Sequence, residues 1–567
     1  MATQKTNNVA SAYLALLADR GVDYLFGYAG TDFAPIVEAY AEAEQQGTKV
    51  PAPILATHEN LAVSMAHGYA MVTRKIPAVM VHVSVGTANM ICGAMNAARE
   101  NVAILLTAGR TPLNESGPLG ARDGHIHWAQ EMYDQGGMLR ELVKWDYELR
   151  NGEQLETVVD RALAIAATEP RGPVYLSLPR EVIARRASPA RHGPGRLRAP
   201  APSAPDPAAV QTAADMMASA KRPLILTSNA GRDPAAFAAL AMLADRFAIP
   251  VVQHHPRHLS LPSSHAMNLG YHPASILADA DLILALESDV PWMPAHGSPP
   301  EGCKVIQGGF DPLFTHIPIR GFACDLGITG GAAAILTALA VELEPAIDRS
   351  AVAERRTWVE AKRRAQLKER GALCERVANR RPMHPAWVSH CLGQAKDAGT
   401  IVVNEYTLRL DHCGFEHADS YFGSSSASGM GWGAGAALGA KLGAPERPVI
   451  AVVGDGAYLF SNPAAVHHAA ALHELPVLFV VMNNAMWNAV RRFTVAMYPH
   501  GKAAKSNRSA FTQLDRLPAF EQICRAAGGY GERVDDPAQL PAALERGMAV
   551  VANEKRQGLL NVICSAD

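Results

Sequence analysis

The sequence predicts an α/β protein built from three consecutive doubly wound parallel-sheet domains. Three observations support this prediction: a length of 567 residues, short apolar runs that alternate with alanine-rich helical stretches, and two breaks in composition. At roughly 150 residues per domain, the length fits three or four domains. Short continuous apolar strands separated by helices are typical of parallel sheets that are covered on both faces.

Each third of the chain contains several of these apolar runs. Runs of this length and composition predict fully buried strands, so each third is expected to form its own sheet. The runs are IPAVMVHV, VAILLTAG and GPVYLSLP in the first third, RPLILTS, IPVVQHH, DLILALES and CKVIQGG in the second, and TIVVNE, RPVIAVVGDG and LPVLFVVMNN in the last.

Two segments of unusual composition mark the expected domain boundaries. Residues 185–207 are rich in Pro, Arg and small residues and lack an apolar period, which predicts an extended surface linker. Residues 346–382 are highly charged, and acid–base pairs at helical spacing predict an exposed helical linker there. The expected domains are therefore residues 1–184, 208–345 and 383–567.

Composition and charge exclude several classes of protein. A net charge of -2 gives no electrostatic reason to expect binding to nucleic acid or to an anionic membrane. Residues 1–22 have the pattern of an amphipathic helix rather than an export signal, and no run of about 18 apolar residues could span a membrane. The eight cysteines form no CxxC pair, which argues against zinc and disulfides and fits a reduced cytoplasm. We expect a cytoplasmic enzyme.

The last third contains a candidate metal and phosphate site. The turn Gly454-Asp455-Gly456 follows one apolar strand, and Asn483-Asn484 end the next. Parallel strands joined by a helical crossover end at the same sheet edge, where open α/β sheets bind ligands. Carboxylate and carboxamide oxygens suit Mg²⁺ or Ca²⁺ that also binds phosphate oxygens. The glycines let backbone N–H groups approach those phosphates.

This segment resembles the thiamine-diphosphate motif of the 2-oxo acid decarboxylase and acetohydroxyacid synthase superfamily, in which GDG is followed after one crossover by NN. The resemblance implies three Mg²⁺ ligands and a set of diphosphate contacts. The Mg²⁺ ligands would be Asp455, Asn484 and the carbonyl of Met486, and the diphosphate would lie beside Gly454, Gly456 and Ala457. The spacing from GDG to NN is slightly longer than is usual in the family, and the extra residues are expected in the turn around Ser461-Asn462-Pro463.

A second glycine cluster, SSSASGMGWGAGAALGA, occupies residues 424–440. It contains the GxGxxA pattern of a dinucleotide fingerprint, but serines rather than a strand precede it, so a nicotinamide site is a weak interpretation. In the resembled family this stretch lies beside the thiazolium ring. The resemblance implies cofactor contacts from Gly429 and from Met430, the bulky apolar residue that props the bent cofactor. The segment 404–407 resembles the family's diphosphate-contacting segment and implies a contact from Thr407.

Glu59 follows an apolar strand and begins a helix of small residues in the stretch ILATHENLAVSMAHGYA. An acid at this position is typical of the first turn of a helix, where the helix dipole favours it. The stretch also resembles the N-terminal signature of the same family. That resemblance implies that Glu59 hydrogen-bonds the aminopyrimidine ring and promotes proton loss from thiazolium C2. GVDYLFGYAGT resembles the family's opening motif, which places Thr31 toward the substrate.

His82 follows the apolar run AVMV and precedes Gly86-Thr87, where we expect a turn. VHVSVGTANMICGAMNA resembles benzoylformate decarboxylases, the group with the best local similarity, and aligns His82 with their active-site histidine. The alternative is a histidine packed at a strand end. His125 and His127 are the nearest candidates for the histidine pair of pyruvate decarboxylases, although each is typical of a loop residue. Val490 stands where that branch carries an acid, which argues against it.

The resemblance implies a thiamine-diphosphate and Mg²⁺ enzyme that decarboxylates a 2-oxo acid without oxidation. Its three domains would be the pyrimidine-binding, middle and diphosphate-binding domains. An acetolactate synthase-like carboligase is the alternative, and a flavin-linked oxidase with FAD in the middle domain is a further one that no motif indicates. Retention of Glu59, Asp455 and Asn484 argues against a catalytically silent paralogue. In the family the cofactor lies between two subunits, which implies at least a homodimer and usually a homotetramer.

Overall fold

The structure is a computed structural model that describes residues 8–187, 197–506 and 509–566. It contains three parallel sheets, one in each third of the chain, and the predicted fold class is confirmed. All ten apolar runs form strands. Alternate residues of the strand Ala78–Val81 enter two different buried clusters, so both faces of the first sheet are covered, as continuous apolar strands require.

The first sheet has six parallel strands. These are β1 (Tyr24–Gly27), β2 (Ala52–Leu55), β3 (Ala78–Val81), β4 (Leu105–Arg110), β5 (Asp146–Glu148) and β6 (Val174–Pro179). The helices are α1 (Val9–Asp19), α2 (Ala34–Gln46), α3 (Glu59–Thr73), α4 (Val83–Arg99), α5 (Ile126–Ala129), α6 (Leu155–Ala167) and α7 (Arg180–Ala184). The strand order is β2-β1-β3-β4-β6-β5. The amphipathic helix expected near the N-terminus is α1, and residues 1–7 of that prediction lie outside the described residues.

The second sheet has five parallel strands. These are β7 (Pro223–Thr227), β8 (Val251–Gln253), β9 (Leu282–Leu286), β10 (Lys304–Gly309) and β11 (Leu326–Thr329), in the order β11-β10-β9-β7-β8. Its helices are α8 (Pro207–Ser219), α9 (Pro234–Phe247), α10 (Ala274–Leu277), α11 (Ala332–Ala346) and α12 (Arg349–Val377). Residues 188–196 of the expected linker before this sheet lie outside the described residues.

The charged helix α12 is not exposed on all sides, and the expectation of an exposed helix is wrong for one face. Val352 and Val359 belong to the core of the second sheet. Arg355, between them, is only 2% exposed, and its guanidinium donates to the carbonyl of Ala220. Apolar residues one or two turns apart, together with the apolar stem of an arginine, are enough to bury one stripe of a helix whose composition is mostly charged.

The third sheet has six parallel strands. These are β12 (Ile401–Glu405), β13 (Tyr421–Gly423), β14 (Val449–Gly454), β15 (Leu478–Asn483), β16 (Tyr530–Val534) and β17 (Gly558–Ile563). The helices are α13 (Pro385–Ala395), α14 (Leu410–Cys413), α15 (Trp432–Gly443), α16 (Asp455–Phe460), α17 (Pro463–Leu472), α18 (Asn488–Met497), α19 (Lys502–Lys505), α20 (Phe520–Ala526) and α21 (Leu540–Asn553). The strand order is β13-β12-β14-β15-β17-β16, so β12, β14 and β15 are neighbours.

The first and third sheets share one core through helices α3 and α15. A Cβ on Gly68 would lie 1.9 Å from the carbonyl oxygen of Ala436, and one on Gly439 would lie 1.8 Å from that of Met65. The two backbones therefore touch where these glycines face the other helix. Of the helices in the described residues, none has the length and apolar character that a membrane span requires.

Candidate active site

Three candidate residues lie at one edge of the third sheet. Thr407, Asp455 and Asn484 follow the carboxyl ends of β12, β14 and β15, which are adjacent parallel strands. Thr407 approaches the GDG turn directly, because a Cβ on Gly454 would lie 3.2 Å from its methyl carbon. The carboxylate of Asp455 reaches the end of β15, where it accepts the backbone N–H of Met486, two residues after Asn484, at 3.3 Å. The topology thus gathers side chains from three separate segments.

Asp455 is the first residue of α16 and is only 3% exposed. Its Oδ1 accepts the backbone N–H of Gly456 at 2.8 Å, and its Oδ2 accepts that of Met486 at 3.3 Å. Burial raises the pKa of this carboxyl, and the surrounding backbone N–H groups oppose the rise. A cation would compensate the buried negative charge, so this position suits a metal ligand.

Two polar atoms beside Asp455 are buried without a hydrogen-bond partner: Oδ1 of Asn484 and Oγ1 of Thr407. Buried polar atoms almost always have a hydrogen-bond partner, so we expect these two atoms to bind a group from outside the chain. The carbonyl of Met486 accepts the N–H of Asn488 at 2.9 Å and keeps a second lone pair. Among the described residues, no group of three His, Cys, Asp or Glu could hold a metal. A cation here would rest on one carboxylate with carboxamide and carbonyl oxygens, a donor set that suits Mg²⁺.

The GDG turn is closely packed. A Cβ on Gly456 would lie 2.2 Å from the ring of Trp487, so a side chain there would displace the indole. Gly454 precedes α16 in extended conformation, and Ala457 is buried within that helix. Between α16 and α17, Asn462 has a φ of 56°, so the chain turns sharply where the extra residues were expected.

A buried carboxylate that the sequence did not single out lies beside the same edge. Glu405 is 1% exposed and accepts the N–H groups of Gly431 at 2.8 Å and Gly433 at 2.7 Å, at the start of α15. Burial raises its pKa to about 7, and these hydrogen bonds oppose the rise. Glu405 therefore holds the N-terminus of α15 against β12, and with it the segment that carries Met430, which is partly buried against the shared core.

Gly429, in the same segment, is held by the first third of the chain. The side chain of Asn96 on α4 accepts the N–H of Gly429 and donates to its carbonyl, each at 2.9 Å. A Cβ on Gly429 would lie 2.7 Å from Sγ of Cys92. The segment predicted to support the cofactor is thus clamped between α4 and the third sheet.

Glu59, Thr31 and His82 lie together at one edge of the first sheet. They follow β2, β1 and β3, which are adjacent and parallel. Glu59 begins α3, is 6% exposed and accepts an N–H from Asn89 at 3.1 Å. Thr31 is exposed and opens a 3-10 turn, Thr31–Phe33. The structure therefore places the three candidates of the first domain at a single edge.

His82 lies between β3 and α4, and a carboxylate holds its ring. Its Nδ1 lies 2.5 Å from Oδ1 of Asp32, and this hydrogen bond raises the pKa of His82 although burial opposes the rise. The expectation of a turn at Gly86-Thr87 is wrong, because both residues belong to α4. A Cβ on Gly86 would lie 3.0 Å from that of Val81, so this glycine lets the helix pack closely on the preceding strand instead of ending it.

Asp32 is a site residue that the sequence reasoning missed. It directly follows Thr31, but its partner His82 is 50 positions away, and no local pattern connects them. Gln130 lies 48 positions from His82, yet its Nε2 is 3.3 Å from Nε2 of His82. An acid immediately after a strand-end threonine was the one available signal.

The remaining histidine candidates take other positions. His125 is exposed at the start of α5. His127 is buried, and its Nδ1 accepts the N–H of Asp123 at 3.2 Å, so it packs within its own loop. Val490 is 48% exposed on α18 and offers no acid. In the described residues of one chain, neither Glu59 nor His82 hydrogen-bonds with the metal-site candidates of the third sheet.

Three segments of the chain match the domains of one enzyme family. Residues 7–138 match the N-terminal TPP binding domain of thiamine pyrophosphate enzymes, residues 210–339 match the central domain, and residues 405–562 match the C-terminal TPP binding domain. Each match falls on one of the three sheets.

Relatives with similarity over nearly the full length belong to the same group. The sulfoacetaldehyde acetyltransferase of Castellaniella defragrans is 25% identical over 98% of this chain and 93% of its own. The benzoylformate decarboxylase of Pseudomonas aeruginosa is 26% identical over 95% and 96%. The solved structure of a thiamine diphosphate-dependent 4-hydroxybenzoylformate decarboxylase from Rhodococcus jostii RHA1 has the same fold, with a TM-score of 0.79 at 22% identity and 99% of both chains covered. This chain belongs to the superfamily of thiamine-diphosphate-dependent 2-oxo acid decarboxylases and acetolactate synthases.

Proposed function

We propose that this thiamine-diphosphate-dependent enzyme decarboxylates a 2-oxo acid without oxidation, as benzoylformate decarboxylases do. The observation that carries the proposal is the position of His82. Its imidazole lies at the same sheet edge as Glu59 and Thr31, and a buried carboxylate holds it in one orientation. A histidine with a raised pKa is suited to deliver a proton near neutral pH.

The third-sheet edge is the proposed binding site for Mg²⁺ and the diphosphate. Asp455, Asn484 and the carbonyl of Met486 would hold the metal, and Thr407 would contact the diphosphate. The unpartnered Oδ1 of Asn484 and Oγ1 of Thr407 support this assignment, because both atoms would gain partners. Thiamine diphosphate, when bound, supplies the carbanion-stabilising chemistry that allows CO₂ to leave a 2-oxo acid.

Glu59 is the proposed acid that holds a proton at the aminopyrimidine ring. Its burial at a strand end, with a single amide donor from Asn89, leaves the second carboxyl oxygen free for the ring nitrogen. In the described residues of one chain, Glu59 makes no hydrogen bond with the metal-site candidates, and we propose that two copies of the chain complete the site. This assignment also follows the family arrangement, in which the cofactor lies between subunits.

An acetolactate synthase-like carboligase is the second candidate function. The similarity to an acetyltransferase over 98% of the chain favours it. In a carboligase a proton donor at the reacting carbon is a disadvantage, since protonation competes with addition to the second carbonyl. The role of His82 therefore separates the two functions.

The test is a screen of 2-oxo acids with thiamine diphosphate and Mg²⁺ that follows CO₂, aldehyde and acyloin together. His82→Ala should slow aldehyde release more than CO₂ loss, by about 10²-fold or more, and raise the share of condensed product. His125→Ala, which removes an exposed histidine of the neighbouring loop, is the matched control and should keep the wild-type ratio. An unchanged ratio with normal turnover in His82→Ala would favour the carboligase.

A further inference from the structure

The two carboxylate oxygens of Asp32 contact different groups: one contacts a side chain, and the other contacts a backbone N–H in a strained conformation. Oδ1 of Asp32 lies 2.5 Å from Nδ1 of His82, and Oδ2 accepts the backbone N–H of Val83 at 3.3 Å. Val83 has a φ of 28°, which is rare for a β-branched residue and marks local strain. Asp32 itself is 3% exposed. One buried carboxylate thus fixes both the imidazole and the backbone turn that carries it.

Two glycines make room for this pair. A Cβ on Gly30 would lie 2.1 Å from Nδ1 of His82, and a Cβ on Gly109 would lie 1.7 Å from Oδ2 of Asp32. Both distances are shorter than real Cβ contacts, so a side chain at either position would displace the ring or the carboxylate. The loop after β1 and the end of β4 therefore leave room for the pair at this separation.

The hydrogen bond at Nδ1 determines what the other ring nitrogen can do. A carboxylate cannot donate, so Nδ1 of His82 carries the hydrogen and Nε2 is the atom that gains or loses a proton. Nε2 faces Gln130, whose backbone carbonyl is fixed by the hydroxyl of Ser84 at 2.7 Å. Oε1 of Gln130 is buried without a partner, so a half-turn of this amide would offer an acceptor to a protonated Nε2.

We propose that Asp32 is a positioning residue of the active site. It holds Nδ1–H of His82, so that Nε2 alone exchanges a proton with the substrate carbon. The side-chain amide of Gln130 rotates when the imidazole of His82 gains or loses its positive charge. The proton-transfer part rests on the proposed function. In that step the Nε2–H bond breaks and a C–H bond forms at the carbon that lost CO₂. The electron pair of the N–H bond stays on Nε2, and water then returns the proton.

Other ionisable groups act on the same ring. Glu59 on α3 contributes a negative charge that favours the protonated form of His82, and His127 lies close enough to interact with it electrostatically. The hydrogen bond with Asp32 is the largest of the contributions that raise the pKa of His82. Replacing this carboxylate should therefore have more effect than replacing either neighbour.

The first experiment uses long-range ¹⁵N–¹H correlation spectra of the histidine rings, without substrate. The His82 signals are identified by their loss in His82→Ala. Above the pKa of His82, wild type should show the Nδ1–H tautomer, which is the minor form of free histidine. His265 is the internal control and should show Nε2–H, because its Nδ1 accepts the backbone N–H of Met267 at 3.2 Å. A His82 ring with Nε2–H would overturn the proposal, even if no Asp32 variant folds.

The second experiment is the titration of His82 in Asp32→Asn. The titration midpoint should fall by about 1–3 pH units, the usual effect of removing an adjacent opposite charge. Because protonated His82 is the active form, the pH at which kcat/KM declines should fall with it. Asp160→Asn, the same change at a buried acid paired with Arg20, should move neither value. An unchanged His82 titration contradicts the proposal, whereas a wild type that decarboxylates no 2-oxo acid contradicts only the proposed function.

Discussion

At the scale of single residues, the candidate site consists of buried polar groups, and some of their atoms have no hydrogen-bond partner in the described residues. Asp455 carries a buried carboxylate, and the side-chain oxygens of Asn484 and Thr407 have no hydrogen-bond partner in the chain. Leaving such atoms unpaired costs free energy, about 1–3 kcal/mol for each. Ligand binding would recover that cost, so these residues should dominate cofactor retention.

We predict that Asp455→Ala abolishes retention of thiamine diphosphate. The variant loses the proposed metal ligand and a negative charge that would balance the cation beside the diphosphate. Cofactor that remains after gel filtration should fall to background, and chelation of Mg²⁺ should have the same effect on wild type. Asp536→Ala, at an aspartate of the same domain that accepts the N–H of Ala538, should keep the cofactor. Wild-type affinity in Asp455→Ala would contradict the metal assignment.

We predict that Glu59→Gln keeps the fold and most of the cofactor affinity but slows H/D exchange at cofactor C2. Gln preserves the size and one hydrogen bond, but it cannot move the proton. The exchange rate followed by NMR should drop by about 10²–10⁴, the usual scale for a positioned proton-transfer group. Glu181→Gln, at a buried acid that accepts the N–H of Asn114, is the control. If exchange is unchanged in Glu59→Gln, the residue is only a first-turn acid of α3.

At the scale of elements, helices α3 and α15 join the first and third sheets by direct backbone contact. Gly68 and Gly439 allow this approach, since a Cβ on either would penetrate the opposite backbone. The same pair of helices begins at Glu59 and beside Met430. Their packing therefore sets the position of both candidate site edges within one chain.

We predict that Gly439→Ala lowers the thermal midpoint, although alanine is the better helix former. The helix preference is worth about 1 kcal/mol, whereas forcing a backbone contact apart costs typically 1–3 kcal/mol or more. Gly371→Ala on α12 is the matched control, because a Cβ there meets no atom within 4 Å. That variant should be neutral or slightly more stable. Equal gains in both variants would show that the helices can separate at little cost.

At the scale of the whole molecule, one buried ion network joins all three parts of the chain. Arg257, in the middle part, pairs with Glu100, which directly follows α4, at 3.0 Å and with Asp289 at 2.9 Å. Glu100 also accepts the backbone N–H of Ser426 at 3.1 Å, in the segment that leads to Gly429. The middle domain is thereby connected to the loop that is predicted to support the cofactor.

We predict that Arg257→Ala strongly destabilises the protein and weakens cofactor binding. Removing one partner leaves two buried carboxylates unpaired, which costs about 3–5 kcal/mol. The thermal midpoint and the thiamine-diphosphate affinity report the two effects. Arg140→Ala removes an exposed arginine that pairs with Asp134 and Asp146, and should leave the thermal midpoint close to that of wild type. If Arg257→Ala is as mild as this control, the network is dispensable.

The sequence by itself determined the fold class, the ten apolar strands, the family and the strand-end positions of Glu59, Asp455 and Asn484. These features depend on local patterns: continuous apolar runs, glycine turns and short motifs. The domain boundaries and the roles of the site residues stay predictions. Only the tertiary structure decided that His82 is paired with Asp32, that Gly86 and Thr87 continue a helix, and that Arg355 lies on a buried stripe. The His82–Asp32 pair and the burial of Arg355 depend on contacts between segments far apart in the chain, and the residues on either side of such a contact carry no local pattern that identifies their partner. The helical position of Gly86 depends on close packing against Val81, which a Gly-Thr pair in the sequence does not indicate.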